Sequence, residues 1–248
     1  MRSNRATEPT APTAPSDEAL EDFYKAITEA HLALQDPERA AKMQAYMKSD
    51  IPHFGVPKPQ SRKLTMQLAK EHFGTDPLQR IAAAEFVWNK ATHRDHLYAA
   101  QDTLDIASIR GNIEVLPLLT HMIDTGQWWE LVDAVQGHFS ELLTTHQLAL
   151  TKLLREWVHH ENKWRRRTSI IAQLKLKKST DTELLAYAIT ENAADKDFFI
   201  RKAAGWALRE YAKSNEPWVK DFLKTHRDEL SPLTIREASK HLLNSNHE

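Results

Sequence analysis

Four short segments with related sequences recur at a fixed spacing in the C-terminal half of the chain. They are WELVD from Trp129, WRRRT from Trp164, FIRKA from Phe199 and TIREA from Thr234, each beginning 35 residues after the last. A weaker echo, RDHLY, begins at Arg94. A unit of this length holds two helices and two turns, and one helix pair cannot bury its apolar face alone. The period therefore predicts stacked helix pairs that form an α-α superhelix (solenoid), with equivalent helices lining a concave face.

The composition and the helix-start signals favour an all-α fold. The chain has only 6 Gly among 248 residues and 8% aromatic residues, and it is rich in helix-forming residues. Helix starts are predicted at Ser16-Asp17, Asp36-Pro37, Asp76-Pro77 and Ser231-Pro232. The prolines between residues 50 and 59 rule out continuous helix there and predict an ordered loop. No strand-like alternation is found, and the tetratricopeptide pattern is absent, so a short HEAT-like array fits best.

The first 16 residues differ in composition from the remainder. MRSNRATEPTAPTAPS is rich in Pro, Thr and Ala and lacks apolar periodicity, so residues 1–16 are predicted to be a disordered leader. Residues 17–248 are predicted to form a single domain. No apolar stretch reaches the roughly 20 residues of a membrane span, and the N-terminus has no secretory signal core. The absence of cysteine excludes disulfides, cysteine zinc sites and thiol nucleophiles, and it agrees with a cytoplasmic location.

The charges are nearly balanced overall but unevenly distributed. The 33 basic and 34 acidic residues give a net charge of −1, which argues weakly against a nucleic-acid-binding protein. Between Asn162 and Thr180, however, basic residues occur with no acidic residue among them, namely Lys163, Arg165, Arg166, Arg167, Lys175, Lys177 and Lys178. This run is either an ordinary solvated helix face or a local surface for a polyanion, and the missing acids favour the second interpretation.

The aligned repeats bring together residues with chemical potential. Trp129 and Asp133 are spaced i, i+4 and share one helix face. Arg167 lies at nearly the same height in the next repeat, and Trp206 lies two turns after the start of the following one. If these helices line the concave face, two indoles, a carboxylate and a guanidinium converge on one cleft. A structural role stays open, because Asp133 could be an exposed residue or simply the ion-pair partner of Arg167.

The adjacent tryptophans Trp128 and Trp129 allow a further deduction. They lie about 100° apart on a helix, so only one of them can face the core. Metal and cofactor chemistry has no support, because the 13 histidines show no His-Glu-x-x-His spacing and no nucleotide-binding or nucleophile-elbow motif is present. We therefore expect no metal and no cofactor.

The residues of the cleft suit cleavage of an N-glycosidic bond. Excision of a purine passes through an oxocarbenium-like sugar, which a nearby carboxylate stabilises while it orients water. Indole faces attract a cationic purine or the electron-poor sugar. Basic residues hold the flanking phosphates. A base that is already positively charged leaves without a general acid.

Several segments resemble the AlkD family of DNA alkylation repair glycosylases. The segments that carry the resemblance are QWWELVD (127–133), NKWRRR (162–167), QLK (173–175) and FFIRKAAGWALREYAK (198–213), together with Tyr46-Met47-Lys48 and the loop from Gly55 to Arg62. The likeness runs from about residue 17 to the C-terminus. The chain departs from the family in that loop, where Pro57-Lys58 replaces a polar pair.

The resemblance implies a HEAT-like solenoid that wraps duplex DNA and removes 3-alkylated and 7-alkylated purines. It implies that Asp133 is the catalytic carboxylate, that Trp129 and Trp206 pack against the sugar of the lesion, and that Arg167 holds the backbone. It also places Tyr46, Arg62 and Lys175 at positions facing DNA. The remaining candidates for DNA contacts are Lys58, Lys163, Arg166, Lys177, Arg201, Lys202 and Arg209.

Two other functions compete with an alkylpurine DNA glycosylase. One is a non-catalytic HEAT-like protein that binds damaged or bent nucleic acid. The other is a scaffold for protein interactions, a common role of such arrays. The presence of Asp133, Arg167 and both tryptophans argues against the first, and the acid-free run argues against the second. The expected partner is double-stranded DNA with alkylated purines, bound by a monomer that has no membrane association.

Overall fold

A computed structural model describes residues 14–244, with side chains up to Leu242, and these residues form helices joined by turns and short loops. No strand occurs between residues 14 and 244, which confirms the predicted all-α class. Most of the predicted leader, residues 1–13, lies outside the described residues. The chain divides into two compact units, unit 1 (Met1–Ile109) and unit 2 (Arg110–Glu248).

Unit 1 consists of helices α1 to α5 and a short 3-10 helix. Their bounds are α1 Asp17–Leu32, α2 Pro37–Met47, α3 Lys58–Phe73, α4 Pro77–Asn89, α5 Arg94–Thr103 and the 3-10 helix Ala107–Ile109. The predicted helix starts are confirmed, because Ser16, Asp36 and Asp76 each accept a backbone N–H with their side chains. The unit is closed by a core that includes Phe23, Ile27, Phe73 and Val87.

The proline-rich loop before α3 is ordered, as predicted, and it packs against the start of α2. Gly55 has a φ of 82°, and a Cβ there would lie 2.8 Å from the backbone nitrogen of Ala40. Phe54 O accepts a hydrogen bond from Asp36 N at 2.9 Å, and Gly55 O accepts one from Arg39 Nη1 at 3.0 Å. Only glycine allows this approach. The loop is shorter than predicted, since α3 already begins at Lys58 and tolerates Pro59 in its first turn.

Unit 2 consists of helices α6 to α14 and two 3-10 helices. Their bounds are 3-10 Ile113–Val115, α6 Leu116–Gly126, α7 Trp129–Ala134, α8 Gln136–Thr145, α9 Gln147–Trp157, α10 Lys163–Ile171, 3-10 Lys177–Ser179, α11 Thr182–Thr190, α12 Phe198–Ala212, α13 Glu216–Thr225 and α14 Pro232–Asn244. The four repeated segments lie in the first turns of α7, α10, α12 and α14, and these helices contact one another in chain order. The 35-residue period therefore corresponds to stacked helices in unit 2.

The core of unit 2 is built around the small residues of α12. Ala203, Ala204 and Ala207 are buried together with Ile170, Ile200 and Leu208. Because small side chains let helix backbones approach closely, α10 and α14 both pack on α12. In the part of the chain that the structure describes, no helix combines the length and hydrophobicity needed to cross a bilayer.

Unit 1 also contains a buried histidine whose neutral form is required by its hydrogen bonds. His96 is fully buried in α5, and its Nδ1 accepts from the backbone N–H groups of Thr92 and His93, each at 3.3 Å. Its Nε2 lies 3.0 Å from Thr28 Oγ1. Burial, and then the nearby His93 and His31, lower the His96 pKa from 6.5 to about 4, against the opposing charge of Asp95. A proton added to Nδ1 would point at these two N–H donors and would break both hydrogen bonds.

We expect acid to destabilise unit 1 through His96. A folded pKa of about 4 lies below the unfolded value of 6.5, so the stabilising contribution is complete above pH 6.5 and is lost as the pH falls towards 4. The loss amounts to about 3 kcal/mol of unfolding free energy. Urea denaturation across this pH range measures it. His96→Gln, which cannot titrate, should flatten the curve, and equally steep curves for the two proteins would contradict the assignment.

Candidate active site

Asp133 and Arg167 form a bidentate ion pair between α7 and α10. Arg167 Nε donates to Asp133 Oδ1 at 2.8 Å, and Arg167 Nη2 donates to Asp133 Oδ2 at 2.7 Å. The Arg167 side chain is 4% exposed and the Asp133 side chain 15% exposed. The guanidinium therefore fixes both oxygens in one orientation, while part of the carboxylate still faces solvent. The convergence predicted from the repeat alignment is observed for these two residues.

Arg167 also binds the first turn of α12. Its Nη1 donates to the backbone carbonyl of Phe199 at 2.6 Å. One buried guanidinium thus joins three helices, α7 through Asp133, α10 through its own backbone, and α12 through Phe199. Because a rigid planar fork makes all three contacts, the position of the Asp133 carboxylate is tied to the position of α12.

Trp128, Trp129 and Trp206 lie in different surroundings. The Trp128 ring lies 5.6 Å from the Phe199 ring and 6.5 Å from the Trp164 ring. Trp129 begins α7 one turn before Asp133 and is half-buried. Trp206 is half-buried on α12 and packs against the edge of the core. Trp129 and Trp206 therefore lie on the two helices that Arg167 connects.

The basic residues of α10 are accompanied by acids that are distant in the sequence. Arg165 binds Asp124 through Nε at 2.7 Å and Nη2 at 2.5 Å. Arg166 binds Asp195 at 3.0 Å and Lys163 binds Asp197 at 2.9 Å. The hydrogen bonds from Arg165 lower the pKa of Asp124, although burial opposes them. We call these pairs, together with Arg167–Asp133, the α10 ion-pair ladder. DNA phosphates would have to compete with carboxylates for Lys163 and Arg166.

The later cations of the acid-free run occupy a different setting. Lys175, Lys177 and Lys178 are exposed in the connection between α10 and α11. Lys177 adopts a left-handed backbone conformation with φ 52°. The Lys175 ammonium lies against Gly137, in the first turn of α8 that follows the Asp133 helix. Within the described residues these lysines form no ion pair, so an external anion can bind them without displacing a carboxylate.

The predicted DNA contacts of unit 1 are Tyr46, Lys58 and Arg62. Tyr46 is 73% exposed near the end of α2. Lys58 and Arg62 lie on α3 and converge on the buried carboxylate of Asp102, at 2.7 Å and 3.0 Å, and Arg62 also binds Asp105. Both cations are about half exposed.

Glu237 is a charged residue that the sequence reasoning missed. Its side chain is 3% exposed, and its carboxylate accepts ion pairs from Lys202 at 2.7 Å, Arg209 at 3.2 Å and Lys240 at 2.6 Å. The signal was present in the repeats, because the fourth residue of successive segments is Arg167, Lys202 and Glu237. Arg201, another predicted DNA contact, donates from its Nε to the Asp195 backbone carbonyl at 2.7 Å.

The cations dominate the electrostatics of Glu237. Burial raises the pKa of its carboxyl, but the hydrogen bonds and charges of Lys202 and Lys240 outweigh this effect and lower the pKa to about 2. Glu237 is therefore ionised throughout the physiological range. Within the described residues, no group of three or more His, Asp or Glu side chains is arranged to hold a metal ion.

Gly205 explains how Glu237 reaches these cations. A Cβ at Gly205 would lie 2.5 Å from Glu237 Cβ and 2.8 Å from Thr234 O, so α14 packs directly on the α12 backbone. Thr234 Oγ1 donates to the Arg201 carbonyl at 3.0 Å and fixes the same contact. Glycine is needed here for the close approach of the two helices.

We expect Gly205→Ala to separate α12 from α14. The added methyl group overlaps a backbone carbonyl that cannot rotate away, so the free energy of unfolding should fall by roughly 2 kcal/mol. Chemical denaturation followed by tryptophan fluorescence measures the change. Ala204→Ser, one position away and also buried, adds one atom at the neighbouring position and provides the comparison. A cost for Gly205→Ala no greater than that of the comparison variant would argue against the contact.

Comparisons with known proteins identify the family of the chain. The family model described as DNA alkylation repair enzyme matches residues 27–242. A solved structure described as a predicted DNA alkylation repair enzyme from Enterococcus faecalis is 34% identical, with a TM-score of 0.74, and the match covers 84% of this chain and 96% of that one. A search of curated proteins gave no match. The chain belongs to the DNA alkylation repair enzyme family, as its AlkD-like segments predicted, and its role lies in alkylation repair.

Proposed function

We propose that this protein is a DNA glycosylase that excises positively charged N3- and N7-alkylated purines, such as 3-methyladenine and 7-methylguanine, from duplex DNA in base excision repair. The observation that supports it best is the Asp133 carboxylate, which Arg167 holds through both oxygens while 15% of the side chain stays exposed. Each carboxylate oxygen has a second lone pair that the guanidinium does not use. The carboxylate is therefore oriented and still able to face a ligand.

The reaction assigned to this site is hydrolysis of the bond between the purine nitrogen and C1′ of the deoxyribose. The bond electrons leave with the base, which departs as a neutral purine because it carried a positive charge beforehand. Asp133 stabilises the cationic sugar and orients a water molecule. The water oxygen bonds to C1′ and its proton passes to the carboxylate and then to solvent. The product is an abasic site, and no metal or cofactor takes part.

The half-buried indoles of Trp129 and Trp206 complete the proposed site. Each residue is partly exposed, and indole faces attract cations such as an alkylated purine or the developing sugar cation. A neutral purine gains less from the same surface and is also the poorer leaving group. The site should therefore select for charge on the base.

The phosphates of the duplex are assigned first to the exposed cations. The Lys175 ammonium lies against Gly137, which follows Asp133 by about one turn of chain, and Lys177 lies in the same connection as Lys175. Lys58, Arg62, Lys163, Arg166, Lys202 and Arg209 all bind carboxylates, so their contacts with DNA require a shared or exchanged partner. We further propose that the protein acts as a monomer in the cytoplasm.

Base release from a defined duplex tests the proposal. The protein is incubated with a duplex containing a single 7-methylguanine, and with the same duplex containing guanine, and free bases are separated by chromatography. We expect release of 7-methylguanine and no release of guanine. Salt-dependent binding of both duplexes without release of either base would instead support the non-catalytic alternative. Absence of both binding and release would favour the interaction scaffold.

A further inference from the structure

The cluster around Glu237 has the charge and exposure of an anion site. Three cations pair with the Glu237 carboxylate, so the net charge of these four side chains is +2. The carboxylate is 3% exposed, whereas the side chains of Lys202, Arg209 and Lys240 are 38%, 26% and 49% exposed. The negative charge is thus covered, and the excess positive charge faces outward.

The position of the cluster connects it with the candidate active site. Lys202, Trp206 and Arg209 are spaced i, i+4 and i+7 on α12, so they share one helix face with the tryptophan between the two cations. Lys240 comes from α14, which Gly205 allows to pack directly on α12. Lys202 and Arg209 therefore flank Trp206 along α12, and Lys240 of α14 joins them through their common partner Glu237.

We propose that Lys202, Arg209 and Lys240 form a single subsite for a DNA phosphodiester beside Trp206, and that Glu237 is the positioning residue that assembles it. This inference rests on the proposed function for the nature of its ligand. Cations without a shared counter-ion would repel one another and spread into solvent. Around a common carboxylate they keep a fixed geometry, and each retains donors that Glu237 does not use. A phosphate oxygen can accept those donors without displacing the carboxylate.

The subsite is tested with a short unmethylated duplex, whose dissociation constant is measured by fluorescence anisotropy over a series of KCl concentrations. Lys240→Met should weaken binding roughly fivefold and lower the slope of log K against log salt by about 0.9, the value for one lost phosphate contact. Lys220→Met is the matched control, since it removes an exposed lysine paired with one carboxylate on α13. Its slope should equal that of the wild type. Unchanged affinity and slope for Lys240→Met would overturn the subsite.

The positioning role is tested by a double-mutant cycle. In a Glu237→Gln background the cations are no longer held together, so Lys240→Met should weaken binding by less than twofold. An effect of the same size in both backgrounds would show that Glu237 does not assemble the subsite. Base release from methylated duplex is measured in parallel. Binding that follows these expectations without base release by the wild type leaves the subsite standing and rejects the glycosylase, whereas release with an unchanged Lys240→Met slope rejects the subsite alone.

Discussion

Asp133→Asn is expected to lower the single-turnover rate of 7-methylguanine release by roughly 10²- to 10³-fold, a loss typical of removing one electrostatic contact to a transition state. The amide is nearly isosteric and can still accept a hydrogen bond from Arg167, but it carries no charge to stabilise the cationic sugar. Affinity for duplex DNA should be unchanged or slightly higher, because the charge acts on the transition state and its removal eliminates a negative group near the phosphates. Rapid-quench measurements under enzyme excess, over a range of enzyme concentrations, separate the rate of base release from the affinity for DNA.

Asp124→Asn is the control for this experiment. Asp124 also forms a bidentate pair with an arginine of α10, and that pair has the same chemistry as Asp133–Arg167. The variant removes the same charge from unit 2 without touching Asp133, so base release should stay within about twofold of the wild type. Equal losses in the two variants would mean that ion pairing with α10, rather than catalysis, accounts for the role of Asp133.

Arg167→Met is expected to destabilise unit 2 by about 4 kcal/mol, because it leaves a largely buried carboxylate without its cation. The variant also removes the hydrogen bond to the Phe199 carbonyl, so α7 and α12 lose their common anchor. Arg167→Lys keeps the charge but cannot form the planar fork, and it should cost about half as much. Urea denaturation can be followed by tryptophan fluorescence, since six of the seven tryptophans lie in unit 2.

The comparison variant is Arg165→Met. Arg165 makes the same two-pronged contact with Asp124, but its side chain is 22% exposed and its partner 32% exposed. Solvent screens that pair more strongly, so its loss should cost about 1 kcal/mol. If Arg167→Met were no more destabilising than Arg165→Met, burial would not explain the energetics of the Asp133 pair.

The helical class and the stacking order of unit 2 were predictable because they depend on periodicity and on local caps. An N-cap residue such as Ser231 acts within one turn of chain, and the 35-residue spacing is read directly from the order of the residues. The same alignment placed Arg167 at nearly the same height as Asp133, and such residues of stacked helices become neighbours.

The surroundings of the basic residues were not predictable from the run of sequence between 162 and 180. The partners of Lys163 and Arg166 lie about thirty residues away, so their charges were invisible to a local count. Glu237 was missed for a related reason: it aligns with Arg167 and Lys202 in the repeats, but its three cations and the Gly205 contact that buries it are visible only in the structure.

The α10 ion-pair ladder limits how this array can be rearranged. Arg165 and Arg167 reach back to α6 and α7, whereas Lys163 and Arg166 reach forward to the residues just before α12. Repeat arrays with purely apolar contacts can be lengthened, shortened or shuffled, because each repeat presents the same face to any neighbouring repeat. Here, removing α10 would leave Asp124, Asp133, Asp195 and Asp197 without the cations that pair with them. The repeats around Asp133 therefore cannot be exchanged independently of one another. Chimaeras should be joined outside residues 124–197.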